Sequence, residues 1–274
     1  MRIARARIQG TARTVVEQDG VARVAPEGVG VLDAIERGAS ADWPTVDREG
    51  LDLAAPVDRP GKMIAVGLNY ADHTSETGFT QPERPLTFAK YTTSITGPYD
   101  DIVVPAHLTE QVDYEAELTL LIGRRCGGAT PATIDDVAGY TVANDVSARD
   151  VQFADVQWSR GKSFDSFTPL GPWLVTPDEF GAQAGHRIHT SVNGEVLQDD
   201  DTGGMIFDIP AILAFVSDGV TLEPGDLILT GTPAGAGAFR VPARYLQDGD
   251  LVVCGVEGIG ELRNRVVRRA TAAA

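Results

Sequence analysis

Cysteine is nearly absent: Cys126 and Cys254 are the only two in 274 residues, too few for a disulfide framework. Each sits in or beside an apolar stretch, which predicts buried free thiols in a reducing compartment. No run approaches the ~18 consecutive apolar residues that span a bilayer, so a membrane is not expected as a partner. The opening Met1-Arg-Ile-Ala-Arg-Ala-Arg alternates basic and apolar residues with no apolar run behind it. It is therefore a poor signal peptide and reads as an edge strand, with the cytoplasm as the default address. Positive charge is scarce too, since 23 Lys and Arg against 39 Asp and Glu leave a net charge of -16. Phosphate contacts need clustered Lys and Arg, so nucleic acid and anionic membranes are excluded as expected partners. An anionic substrate would need a local device against that field, and a bound dication is the simplest.

Several familiar chemistries are missing as well. There is no Gly-x-Ser-x-Gly elbow, and neither cysteine has an evident His partner in sequence. His186 and His189 lack zinc spacing. The glycine-rich Gly231-Thr-Pro-Ala-Gly-Ala-Gly237 lacks the Gly-Lys-Ser/Thr ending of a phosphate loop, and reads as a turn that brings backbone amides and Thr232 near a ligand.

What is present is an ordinary globular composition, 43% apolar, in a chain long enough to bury a sizeable core. Residues 1–58 read as a small N-terminal domain or arm. It holds short strands and a helix near Val31–Arg37 stopped by Gly38, and closes on the linker-like Ala54-Ala-Pro-Val-Asp-Arg-Pro-Gly61. Residues 59–274 read as the catalytic domain, made of short strands between Gly/Pro/Asp turns. Met63–Gly67, Ala116–Ile122 and Tyr140–Val146 are strand candidates, and Arg187–Gln198 is a hairpin about Asn193-Gly194. Asp208–Gly219 has an N-cap acid, an early proline, apolar residues at helical spacing and a glycine stop. Strands do not alternate regularly with helices, so the expected class is α+β, strand-rich, a roll or sandwich.

Glu115 and Glu117, two apart at the head of an apolar strand, project from one face. Two like charges on a partly buried face are costly unless one is protonated or a cation lies between them. A wet edge strand carries such a pair equally well, but Asp145 ends another apolar strand about thirty positions later. Three carboxylates at strand ends make an oxygen cage for Mg²⁺, Mn²⁺ or Ca²⁺, a role they share with structural ion pairs. His73 and Glu76, three apart in a stretch that Asp72 could cap as a helix, place an imidazole and a carboxylate on one face. Lys90 and Lys162 lie among aromatic and small residues, where a lysine holds a substrate carboxylate or snorkels at the surface. Asp199-Asp-Asp201 reads as a solvated acidic loop.

Taken in order, these segments resemble the fumarylacetoacetate hydrolase superfamily. The matching text is Gly67-Leu-Asn-Tyr-Ala-Asp-His73-Thr-Ser-Glu76, Asp113-Tyr-Glu115-Ala-Glu117-Leu and Asn144-Asp145-Val-Ser-Ala-Arg-Asp150-Val-Gln152, then Gly161-Lys162-Ser-Phe and Gly231-Thr232-Pro. Any one is weak; five in order, from about Arg59 to the C-terminus, are hard to produce by chance.

The resemblance implies a mixed β-sandwich roll, a homodimer, and Mg²⁺ or Mn²⁺ on Glu115, Glu117 and Asp145. It also implies a His73–Glu76 catalytic pair and a metal-side Lys162. The larger hydrolases of the family add an upstream acidic ligand that has no match here. The expected reaction is hydrolysis of a C–C bond in a small anionic oxo-acid of acylpyruvate type, through a metal-bound enolate, with Lys90, Gln152 and Thr232 on substrate oxygens. Decarboxylation of oxaloacetate and isomerisation of a hydroxymuconate-type diacid pass through the same enolate and stay open. Gly78–Pro85 and Pro242–Leu246 are the loops expected around the substrate tail.

Overall fold

A computed structural model describes residues 1–182 and 185–270. Ala116–Ile122 is buried at every position and is flanked on both sides, by Val137–Asn144 and by Leu227–Leu229. A seven-residue run with no exposed edge and no exposed face is what AELTLLI can support, since only Glu117 and Thr119 are polar. The same sheet continues outward to Thr168–Val175 on one side, and to Met63–Gly67 and Leu86–Ala89 on the other.

Residues alternate between two cores along the central strand. Leu118, Leu120 and Ile122 share a cluster with Ile188, Val252, Cys254 and Leu262, residues of a second, five-stranded sheet that covers this face. Leu121 belongs to the opposite cluster, with Met63, Ala65, Leu174, Leu229 and the helix residues Val31 and Ala34. Glu117 and Thr119 alternate onto that second side. The architecture is thus a strand-rich α+β sandwich, as the segment pattern predicted.

The helix Val31–Arg37 and the hairpin arms Arg187–Val192 and Glu195–Asp201 form where expected, and Asn193 and Gly194 take positive φ of 52° and 84°, as a type I′ turn requires. Ile209–Ser217 is a helix whose N-cap Asp208 accepts from the Ala211 N–H at 2.9 Å.

Four expectations are corrected. Arg2–Ile8 is not an edge strand: it lies between Thr11–Gln18 and Thr168–Val175, so the N-terminal strands extend the large sheet. Asp199–Asp201 is the end of a paired strand, not a loop. Cys254 is buried, with its thiol pushed up to about 12 by burial, but Cys126 is only half-buried. Tyr140–Val146 is displaced toward the N-terminus, the strand being Val137–Asn144, which leaves Asp145 just beyond its end. Among the described residues no helix is long and apolar enough to cross a membrane.

Candidate active site

Strand polarity gathers the site. Met63–Gly67 and Leu227–Leu229 are parallel, both run antiparallel to Ala116–Ile122, and that strand is antiparallel to Val137–Asn144. The ends of the first two, the start of the third and the end of the fourth therefore meet at one edge of the sheet. Asn69–Thr77, Thr230–Thr232, Glu115–Glu117 and Asp145 are the chain segments at those ends. They line a cavity with His73, Arg149, Gln152, Lys162, Phe239 and the aromatic side chains of Phe79, Phe88, Phe153 and Trp158.

Glu115, Glu117 and Asp145 each bring a carboxylate oxygen within 4.8 Å of the others, and all three are buried. Lys162 Nζ donates to Glu115 Oε2 at 2.6 Å and to Asp145 Oδ2 at 2.8 Å. Arg149 donates from Nη2 to the other Glu115 oxygen at 2.5 Å, from Nε to Asp113 at 2.9 Å, and from Nη1 to Gln152 Oε1 at 3.1 Å. Burial alone would raise the Glu115 carboxyl, but Arg149 and then Lys162 hold it well below the usual carboxylate range. Glu117 accepts only the Gly231 N–H, at 2.8 Å, among the described residues. Burial first, then Asp145 and Glu115, push its carboxyl well above the ordinary value. Gly231 is what lets that amide come so close: it has φ +98° and a Cβ there would lie 2.8 Å from Asn69 Cβ.

Electrostatics test whether a cation suits this place. Four buried acids, Asp113, Glu115, Glu117 and Asp145, face three buried cations, Lys90, Arg149 and Lys162. With all four acids ionised, as metal ligation requires of its carboxylates, the cluster has one negative charge in excess, and a dication reverses that to one positive. This is the sign that draws a small anion toward a chain of net charge -16. All-oxygen donors suit hard cations of the Mg²⁺, Mn²⁺ or Ca²⁺ kind. The residues fit the group. Among the described residues no upstream acid joins them: Asn69 stands nearby, but its amide is used by Thr230 O, Phe207 O and Phe207 N.

Ala71–Thr77 carries the other candidate pair. His73 Nδ1 is 2.7 Å from Glu76 Oε1, and the Glu76 carboxylate also accepts the Gly235 N–H at 2.9 and 3.1 Å. The helix is capped differently from the expectation, with Tyr70 at the N-cap and Asp72 inside the first turn, and it ends at Gly78 in the left-handed conformation.

Gln152 and Thr232 line the cavity as placed from sequence, but Lys90 does not. Its ammonium donates to Asp145 Oδ1 at 2.6 Å, to Phe167 O at 3.2 Å and to Lys162 O, so no proton is left for a ligand. Lys90 faces Asp145 and two backbone carbonyls and not the cavity. Of Gly78–Pro85 only Phe79 reaches the cavity wall, and none of Pro242–Leu246 does. The sequence reading missed Arg149, Asp113 and Phe239. The signal for Arg149 was the count of buried acids, which demands more counter-charge than two lysines. Asp113 accepts the backbone N–H groups of Gly237 at 2.7 Å and Ala238 at 3.0 Å, which seats Phe239 edge-on to His73 at 5.8 Å.

Comparison with known proteins agrees with this geometry. The chain belongs to the fumarylacetoacetate hydrolase family, whose model "Fumarylacetoacetate (FAA) hydrolase C-terminal" matches residues 62–267. A mitochondrial oxaloacetate tautomerase of Bos taurus is 44% identical over 245 residues, covering 88% of this chain and 77% of the relative. A 2,4-didehydro-3-deoxy-L-rhamnonate hydrolase of Sphingomonas sp. (strain SKA58) is 40% identical over 260 residues, covering 92% and 90%. The solved fumarylacetoacetate hydrolase of psychrophilic Exiguobacterium antarcticum superposes with a TM-score of 0.87 at 42% identity, covering 98% of this chain and all of that one.

Proposed function

We propose that this chain hydrolyses a C–C bond in a small acylpyruvate-type (2,4-dioxo) acid, with Mg²⁺ or Mn²⁺ held by Glu115, Glu117 and Asp145. The observation that carries the reading is the His73–Glu76 pair, 2.7 Å apart, lining the same cavity as the acid triad. A bound cation supplies Lewis acidity for the oxygens of an oxo-acid. The remaining chemistry belongs to the chain itself.

Glu76, held by the Gly235 amide, accepts a hydrogen from His73 Nδ1, a tautomer assigned from the hydrogen-bond network. Nε2 is then the basic nitrogen and takes a proton from water as the oxygen attacks the distal carbonyl. The bond between that carbonyl and C3 breaks, its electron pair passing to the pyruvate side as an enolate. Protonation at C3 releases pyruvate, and the acyl part leaves as a carboxylic acid. Lys162 has a third N–H beyond those given to Glu115 and Asp145, and Thr232 has a hydroxyl, for the charge that develops. The Sphingomonas relative, matched over most of both chains, carries the 2,4-didehydro-3-deoxy acid pattern in the name of its substrate.

A second reading is keto–enol tautomerisation of an oxaloacetate-like diacid, favoured by the bovine relative. There His73 moves a proton at C3 and no water attacks. An ultraviolet assay separates the two, run on acetylpyruvate, fumarylpyruvate and oxaloacetate with Mg²⁺, Mn²⁺ or a chelator. Metal-dependent loss of the diketone absorbance with pyruvate released supports hydrolysis; enol–keto exchange of oxaloacetate without cleavage replaces it with the second reading. A homodimer belongs to the same proposal and is read by sedimentation.

A further inference from the structure

We infer that Gln198, which lies outside the cavity, is the positioning residue that makes Thr232 a hydrogen-bond donor to the bound ligand. The inference rests on the oxo-acid reading above and adds to it the residue that sets the polarity of one binding group.

Gln198 sits on the second arm of the 187–201 hairpin, in the sheet opposite the site, and is 1% exposed. Its Oε1 accepts the Ala116 N–H at 3.1 Å and the Thr190 hydroxyl at 2.7 Å. A backbone N–H can only donate, so the end of the amide that faces Ala116 must be oxygen. The nitrogen is thereby directed the other way, where it donates to Thr232 Oγ1 at 2.8 Å and to Pro233 O at 2.8 Å. Both hydrogens and both lone pairs of the amide are used, and turning it over would set donor against donor at Ala116 and acceptor against acceptor at Pro233.

The consequence falls on Thr232. Its oxygen is an acceptor for Gln198, and among the described residues its own hydrogen meets no acceptor. Thr232 lines the cavity and is 3% exposed, so that hydrogen is offered to a ligand oxygen. A hydroxyl has one hydrogen and two lone pairs; the amide takes one lone pair and steers the hydrogen away from itself, so a ligand carbonyl or carboxylate oxygen that satisfies the hydrogen is favoured over a donor group. The same amide fixes where the donor stands. Ala116 lies between Glu115 and Glu117, and Gly231, the neighbour of Thr232, donates to Glu117. One buried side chain thus ties the carboxylate strand to the ligand-facing hydroxyl without touching the ligand.

The test is calorimetric titration of pyruvate into Mn²⁺-saturated full-length protein, after Mn²⁺ affinity and folding have been measured for each variant. Thr232→Val and Gln198→Met are each expected to weaken pyruvate binding about tenfold, the loss of one hydrogen bond to a charged ligand. The double variant is expected to bind no more weakly than Thr232→Val alone, because Gln198 acts through that hydroxyl. Unchanged binding in Gln198→Met, or penalties that multiply in the double variant, would overturn the inference; the second would make Gln198 a structural residue only. If Gln198→Met does not fold, Gln198→Glu serves. Its carboxylate still accepts from Ala116 and Thr190 but also takes the Thr232 hydrogen, so binding as tight as in the unsubstituted protein overturns the inference. Failure of the unsubstituted protein to bind pyruvate, oxaloacetate or acetylpyruvate would sink the oxo-acid reading and this inference with it, whereas a null effect confined to Gln198 leaves that reading standing.

Discussion

His73 Nδ1 lies 2.7 Å from Glu76 Oε1, one helical turn away, and the carboxylate is in turn pinned by the Gly235 amide. This chain of contacts makes His73 the oriented base and Glu76 its support. His73→Asn should lower kcat for C–C cleavage by about 10²–10⁴-fold, the range for loss of a positioned acid–base group. Glu76→Gln should cost less, since the imidazole stays in place. Steady-state kinetics on acetylpyruvate check both, and a His73→Asn protein that still hydrolyses at the original rate would remove His73 from the mechanism.

Much of this was legible before the fold was known, for identifiable reasons. The 116–122 strand, the 208–219 helix and the 187–198 hairpin carry strong local patterns, and local patterns need no tertiary information. Glu115 and Glu117 share a face because strand geometry repeats every two residues, and Asp145, named with them from its place at a strand end, lies with them within 4.8 Å in the structure. Lys90 was misplaced because sequence shows a lysine among small residues but not where its ammonium ends. The pairing of Gln198 with Ala116 joins two sheets and leaves no trace in local spacing. The first strand was read as an edge because alternation cannot tell one neighbour from two.

Glu117 makes no ion pair among the described residues, and its carboxyl is already pushed upward by burial and by its two acidic neighbours. Glu117→Gln should therefore lose none of the stability of the metal-free protein. What it should lose is the response to metal. Mg²⁺ or Mn²⁺ at a hundred times its dissociation constant stabilises a single-site protein by about 2.7 kcal/mol. Thermal unfolding with and without the cation reads both effects, and an undiminished metal-induced shift in Glu117→Gln would take that residue out of the ligand set.

Arg149 is 2% exposed and serves two buried acids at once. Removing one partner of a buried ion pair leaves uncompensated charge, which costs about 3–5 kcal/mol. Arg149→Met should show a loss of that order in urea unfolding. Arg149→Lys should recover only part of it, because a single ammonium cannot span Asp113, Glu115 and Gln152 as the planar fork does. Full recovery by lysine would mean that charge alone, and not the fork, holds the acids.

Asp136 supplies a pH-dependent contribution well away from the site. Burial would raise its carboxyl, but the Thr133 N–H at 2.7 Å and Arg124 at 2.5 Å hold it below the ordinary value of 3.8. Because the folded-state value is depressed, the unfolded chain takes up the proton first as the solution is acidified. The stabilisation is therefore complete above the ordinary carboxylate range and is lost as pH falls through the folded value. Asp136→Asn should be about 1 kcal/mol less stable at pH 7, the usual net worth of a hydrogen bond. The gap should narrow steadily once pH drops below 3.8, when the unsubstituted carboxyl begins to be neutralised as well. Urea midpoints of the two proteins between pH 7 and pH 3, about the limits of convenient buffers for carboxylates, measure it. A gap that stays constant over the whole range would show that Asp136 acts through its shape and hydrogen bonds and not through its charge.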